Sequence, residues 1–246
     1  TDGIERRHKS RQGNSRTQLF LDEWSRWIHC EHMDRKSEAS FKKMLHAAEA
    51  ALHMLSRTSA ECLGSPELAK GRPVEKYVTD NEPGLIARDQ KTLLLKRLID
   101  IQRTVPGAST HAARVERANR SIIDLARAQL VHAQMEVKWW QYSFDYAVWL
   151  DNRLPHSGLE GHISPYQKIF QKPPSLKNCR VWGCCCWVYR PKEKRENASK
   201  LDAAAVPAIF LGFAEGSVSG HLVYLPPRNR VLHRYSMVWE ESTPGG

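Results

Sequence analysis

Apolar and polar positions alternate and recur in patterns that divide the chain into two kinds of segment. The run Leu19-Phe20-Leu21-Asp22-Glu23-Trp24-Ser25-Arg26-Trp27-Ile28 has apolar stretches on both sides of a polar middle, which predicts two strands joined by a turn. Within the turn, Asp22 is read as hydrogen-bonding to Ser25 or Arg26. Over Ala39–Leu55, Phe41, Leu45, Ala48 and Leu52 recur at helical spacing behind Ser37 as a cap. Residues 56–73 carry Gly-Ser-Pro and Gly-Arg-Pro breakers and read as loop. Glu75 to Val78 is β-prone, residues 93–101 read as a helix followed by a strand, and 104–111 as a loop. Val115, Ile122, Leu125 and Ala126 then mark a long helix. Met135 to Leu150 is a second helical stretch, crowded with Trp139, Trp140, Tyr142, Phe144, Tyr146 and Trp149. Rings at that spacing are read as core rather than as a stacking surface for bases.

After Pro155 the pattern changes. Residues 155–177 are rich in Pro, Gly, Ser and His, as expected of a linker. Beyond them, short β-branched and aromatic runs at 180–189, 208–213, 221–225 and 231–239 predict about five strands, enough for a small barrel. The expected division is a core over 1–154, a linker over 155–177 and a β-domain over 178–242.

With 246 residues and 41% hydrophobic content, the chain can bury a sizeable core. Its 37 basic and 27 acidic residues leave a formal charge of +10, which suits a polyanion such as nucleic acid. No apolar run reaches the roughly 18–20 residues that cross a bilayer, so no membrane partner is expected and the chain reads as soluble and intracellular. Six cysteines, three of them consecutive at Cys184-Cys185-Cys186, make no disulfide framework and are read as reduced. His29-Cys30-Glu31-His32 lies in a predicted strand with no second ligand pair, so it is not read as a zinc centre.

The candidate chemistry lies in two acidic residues. Thr79-Asp80-Asn81 follows the strand near Val78, and Ala113-Arg114-Val115-Glu116-Arg117-Ala118-Asn119-Arg120 opens the long helix. Thirty-five residues, 81–115, separate Asp80 from Glu116. Spacing alone says little, because acids are common. The words around the acids say more, and they resemble the integrase core of Ty1/copia-type LTR retrotransposons. That family carries S/T-D-N-G and N-G-V-A-E-R-x-N-R around acids at the D-x35-E spacing. Thr104-Val105-Pro106-Gly107 resembles its T-V-P-Y-T-P segment, and Leu19 to Trp27 its Y-F-L-T-F-I-D-D-Y-S-R-Y-T-W. Tyr146 to Pro155 is similar to A-V-Y-L-x-N-R-x-P. Arg180-Val181-Trp182-Gly183-Cys184 and Ile209-Phe210-Leu211-Gly212-Phe213 resemble R-V-F-G-C and I-F-L-G-Y of the SH3-like module that follows such cores.

The resemblance implies an α/β RNase H-like core with a mixed five-stranded sheet, followed by a small all-β SH3-like barrel, together a fragment of a longer polyprotein. It implies three catalytic and metal-binding carboxylates: Asp2, from Thr1-Asp2 ahead of the first strand pair, Asp80 and Glu116. Asp22 is the competing candidate for the first of them. Two Mg²⁺ or Mn²⁺ ions on these acids would support in-line phosphoryl displacement in 3′-end processing and strand transfer. Arg114, Arg117, Asn119 and Arg120 beside Glu116, and Lys192, Lys194, Arg195 and Lys200 in a basic loop of the barrel, are the expected nucleic-acid contacts. Implied partners are double-stranded DNA, RNA as a further polyanion, and further copies of the chain. The implied location is the nucleus, after a cytoplasmic particle.

Two departures keep a second reading open. Glu82-Pro83 replaces the glycine after Asp80-Asn81, and Ala112-Ala113 replaces the Asn-Gly ahead of Glu116. Both glycines would let backbone approach a site closely. The alternative is a non-catalytic nucleic-acid-binding remnant.

Overall fold

The computed structural model describes residues 2–5, 9–34, 39, 46–47, 50–51, 76–79, 100–103, 110–190, 203–213 and 220–246; for 2–5, 77, 79, 101–103 and 110–112 it describes backbone alone. The chain divides into two compact units, Thr1–Ile123 with Val148–Ser175, and Asp124–Ala147 with Leu176–Gly246.

In the first unit, β1 (Asp2–Glu5), β2 (Arg16–Leu21) and β3 (Ile28–Met33) form an antiparallel sheet in the order β1-β2-β3. Central β2 is buried along Arg16 to Phe20. Its two sides alternate, so Leu19 sits in register with Asp2 and Cys30, and Thr17 with Ile4 and His32. The predicted turn closes as a set of hydrogen bonds. Asp22 Oδ2 accepts from Ser25 N at 2.8 Å and from Ser25 Oγ at 2.6 Å, Arg26 N donates to Asp22 O, and Asp22 N donates to Trp27 O. Arg26 takes a left-handed conformation, φ 63°. The Asp22 carboxylate is therefore a turn-maker, as its local sequence suggests.

Strands β4 (Lys76–Thr79) and β5 (Asp100–Arg103) pair in parallel, Tyr77 opposite Ile101. Parallel neighbours need a crossover connection; residues 80–99, between them in the chain, lie outside the described residues. Antiparallel and parallel pairs both occur, consistent with the mixed core expected, although among the described residues the five strands form two sheets, β1-β2-β3 and β4-β5. Helical backbone occurs at 39, 46, 47, 50 and 51 within the predicted Ala39–Leu55 helix; its Phe41, Leu45, Ala48 and Leu52 face, the 56–73 loop and the 93–99 helix lie outside the described residues.

Helix α1 (Thr110–His132) begins in the first unit, with Ile122 fully buried and Asn119 buried. Thr110 and His111, expected in the preceding loop, are already helical. A single helix over Met135–Leu150 was the expectation for the next segment. Instead a 3-10 turn at Val137–Trp139 precedes α2 (Trp140–Asp151). Glu136 is extended and its carbonyl accepts from Trp139 N, a three-residue closure that α-helix does not make.

The segment expected as a linker is folded in part. Ser164 Oγ accepts from Gln167 N at 3.1 Å, and Pro165 opens α3 (Pro165–Phe170) with its φ already suited to a helix. Asn152, at the end of α2 and 2% exposed, joins this part of the unit to the sheet through β3.

In the second unit, β6 (Cys184–Tyr189), β7 (Ala205–Phe213), β8 (His221–Leu225), β9 (Arg230–Arg234) and β10 (Met237–Pro244) form one antiparallel sheet in the order β10-β6-β7-β8-β9. Cys186, Val188, Ala208, Val223 and Leu225 make its core. Each fully buried aliphatic side chain contributes about 1.5–3 kcal/mol. The helical segment packs on this sheet through rings: Trp139 on Tyr224 at 4.4 Å and Tyr146 edge-on to Phe210 at 5.4 Å. Trp139, Trp140, Phe144 and Tyr146 are all buried, so these aromatics are core residues. Among the described residues, no helix is long and apolar enough to cross a membrane.

Candidate catalytic face and nucleic-acid contacts

Of the three predicted carboxylates, the structure describes the backbone of Asp2 and the whole of Glu116, both in the first unit. Asp2 opens β1, its backbone opposite Leu19. Strand β4 ends at Thr79, and Asp80, the next residue, lies outside the described residues. Glu116 lies in the second turn of α1 and is exposed. Among the described residues its carboxylate has no ion-pair partner, which leaves it available to a cation.

The basic residues of the same helix divide by how they are engaged. Arg114 Nη1 lies 3.2 Å from Glu23 Oε1, so part of its charge is answered by the β2–β3 turn. Arg117 is exposed and donates its Nε to Ala113 O one turn back. Arg120 is exposed, four residues from Glu116 and on the same side of the helix. Asn119, by contrast, is buried at 4% exposure. It is the one predicted contact on this helix that solvent hardly reaches, and its position fits support of the helix rather than contact with nucleic acid. Lys192, Lys194, Arg195 and Lys200 lie between β6 and β7, outside the described residues.

The His-Cys-Glu-His word forms part of β3. Alternation along the strand sends His29 and Glu31 to one side and Cys30 and His32 to the other. His29 Nε2 lies 2.8 Å from Glu31 Oε1, and His32 Nδ1 lies 2.8 Å from Thr17 Oγ1. The four side chains therefore do not converge. Cys30, Cys179, Cys184, Cys185 and Cys186 are free thiols. Burial pushes Cys184 and Cys186 up to about 12, so both stay protonated and unreactive at neutral pH.

Sequence reasoning missed a cluster of rings and cations on the surface of the first unit, around Trp24, Lys168, Arg153 and Tyr166. The signal was present only as isolated aromatic and basic residues in separate words.

Comparison with known proteins bears on the fold described above. Residues 184–245 match the retroviral polymerase SH3-like domain. Over 176 residues, 72% of the chain, it is 29% identical to the retrovirus-related Pol polyprotein from transposon TNT 1-94 of Nicotiana tabacum. Over 139 residues, 56% of the chain, it is 34% identical to that from transposon RE2 of Arabidopsis thaliana. Over these stretches the chain is similar to retrovirus-related Pol polyproteins of plant transposons. The matched stretches span 13% and 9% of those two polyproteins. In three dimensions it resembles a chain of the simian T-cell lymphotropic virus intasome in complex with PP2A regulatory subunit B56 gamma, with 16% identity and a TM-score of 0.50 over 97% of this chain and 74% of that one. That likeness is one of fold: an RNase H-like integrase-type core followed by an SH3-like module.

Proposed function

We propose that the chain is the integrase region of a retrotransposon polyprotein, a metal-dependent polynucleotidyl transferase that trims and joins DNA ends. Its core over 1–154 carries the chemistry, 155–177 connects, and the SH3-like module over 178–242 adds DNA contacts. The observation that supports this best is the exposed Glu116 on α1, without an ion-pair partner among the described residues, in the same unit as β1 bearing Asp2 and β4 ending one residue before Asp80.

Asp2, Asp80 and Glu116 form a donor set of hard carboxylate oxygens, and that chemistry fits Mg²⁺ or Mn²⁺. Two such ions, when bound, activate an attacking hydroxyl and neutralise a leaving oxygen. The chain's own part is to supply the three carboxylates and to set Arg117 and Arg120 beside Glu116, where they hold phosphates in position without reading sequence. The partners are double-stranded DNA, RNA as a second polyanion, and further copies of the chain; the site of action is the nucleus.

A second reading has its own support. Ala112 and Ala113, where the family has Asn-Gly, lie within α1, so the helix reaches back to Thr110 through residues of high helix propensity. A site that needs a looser approach to Glu116 would lose catalysis and keep binding.

Strand cleavage and joining on a labelled short duplex in Mg²⁺ and Mn²⁺ tests the proposal. Activity in the parent, lost in Asp80→Asn and Glu116→Gln, is the expected result. An inactive parent that binds duplex with a steep salt dependence overturns the enzyme reading in favour of the binding remnant.

A further inference from the structure

Three elements of the first unit bring rings and cations together. They are the β2–β3 turn, the end of α2 and α3. Trp24 stands on the turn with 49% of its surface exposed, and Lys168 Nζ of α3 lies 5.1 Å from the centre of its ring. Behind them, Trp27 meets Phe170 edge-on at 6.3 Å, and Phe170 packs on Tyr166 at 4.3 Å. Arg153 Cζ lies 4.0 Å over Trp149 and 5.1 Å over Tyr166.

The presentation of Trp24 is rigid. Both Ser25 N and Ser25 Oγ are held by Asp22 Oδ2, so the indole rides on a fixed turn rather than on a mobile loop. Lys168 brings a positive charge to the Trp24 ring. The nearby acids Asp22 and Glu23 are engaged, the first within the turn and the second with Arg114 at 3.2 Å. Lys168 and Arg153 are the cations of the cluster, and Arg153 Nη1 also donates to Trp149 O at 3.0 Å. A half-exposed indole beside an ammonium offers a π-face for a base and a positive charge for the phosphate joined to it. A protein partner that buried this surface would have to bring acidic groups to the cations. A polyanion brings them with every residue.

We propose that the β2–β3 turn is a second nucleic-acid contact, in which Trp24 stacks on an unpaired base and Lys168 meets the adjoining phosphate. The occupant is single-stranded, because the bases of a duplex keep their faces covered by one another. The inference rests on the nucleic-acid reading of this chain and deepens it, adding unpaired ends to the duplex already assigned.

The test compares binding of the full chain to a blunt duplex and to the same duplex with a single-stranded overhang. The variants are Trp24→Ala, Trp24→Phe and Lys168→Ala. The parent is expected to prefer the overhang. Trp24→Ala should lose roughly tenfold on the overhang duplex and nothing on the blunt one, while Trp24→Phe keeps most of the preference. Lys168→Ala should make the salt slope for the overhang duplex shallower by about 0.7 to 0.9. Equal losses on both duplexes, no loss on either, or a change in oligomeric state without a change in preference would overturn the inference and leave duplex binding standing. A parent that binds neither duplex overturns the nucleic-acid reading itself.

Discussion

The side-chain amide of Asn152 is hydrogen-bonded at both its atoms to the backbone of Ile28. Oδ1 accepts from Ile28 N and Nδ2 donates to Ile28 O, each at 2.8 Å and both buried. Ile28 is the first residue of β3, and the outer backbone bonds of a strand end would otherwise go to water or remain unmade. The Asn152 carbonyl accepts from Tyr166 N at 2.8 Å, so one residue ties the end of α2 to both β3 and α3. The Asn-Arg word that drew the resemblance at this point is therefore a structural device.

Asn152→Ala leaves a buried N–H and a buried C=O without partners. Each costs about 1–3 kcal/mol, and the midpoint of urea unfolding should fall accordingly. Asn152→Asp retains the acceptor, loses the donor and buries a charge, and should be at least as damaging. An alanine variant with an unchanged midpoint would mean that water replaces both bonds.

Gly183 makes a comparable prediction in the second unit. Its φ is +75°, and a Cβ there would lie 2.2 Å from Ala133 Cβ. Gly183→Ala combines left-handed strain of about 1–2 kcal/mol with overpacking of about 1–3 kcal/mol. Adding Ala133→Gly relieves the clash but not the strain, so the double variant should regain only part of the loss in thermal unfolding. A full recovery would show that backbone strain is negligible here.

Much of this architecture was legible in local patterns, and the reasons differ by element. Asp22 and Ser25 are three residues apart, so their bond follows from turn chemistry alone. The alternating strands of the second unit were readable because each buries one side, as Cys184, Cys186 and Val188 do in β6. Compact grouping was not readable. Asp124–Ala147 joins the five-stranded sheet through contacts such as Trp139 with Tyr224, which no local window contains. Of the candidate site, helical spacing placed Glu116 and Arg120 on one side of α1. The engagement of Arg114 by Glu23 and the burial of Asn119 depend on tertiary neighbours that periodicity does not report.

Those neighbours separate the arginines of α1 in a binding experiment. Arg120 is exposed and, among the described residues, has no ion pair, whereas Arg114 is partly answered by Glu23. Arg120→Ala should weaken duplex binding regardless of sequence and make the slope of log K against log salt shallower by about 0.9. Glu23→Gln releases Arg114 and should strengthen binding at low salt. If Glu23→Gln is neutral while Arg114→Ala weakens binding, the ion pair gives way to phosphate without cost.

His221 sets the acid limit of the second unit. It is 8% exposed and lies among Phe210 at 5.9 Å, Phe213 at 5.4 Å and Trp239 at 5.1 Å, ring centre to ring centre. Burial holds its pKa below the ordinary 6.5; a hydrogen bond with the Arg234 backbone opposes the shift, and the charge of Arg180 adds to it. The folded chain therefore favours the neutral ring, and the unfolded chain takes up the proton first. A group of this kind contributes stability that is fully present above the unfolded value and declines as pH falls through 6.5 toward the lower folded value. The unfolding temperature of the second unit should drop between pH 7 and pH 5. In His221→Gln, which cannot titrate, that part of the drop should disappear. The half-buried Asp151 of the first unit works in the opposite sense, since desolvation raises its carboxyl above 3.8 against the pull of His156, and acid relieves the cost of its charge. Fluorescence from the tryptophans reports on both units at once, so the His221→Gln difference, rather than the raw profile, is the measurement that isolates this residue. A parent and variant with parallel profiles from pH 7 to pH 5 would mean that His221 reaches water before it takes up its proton.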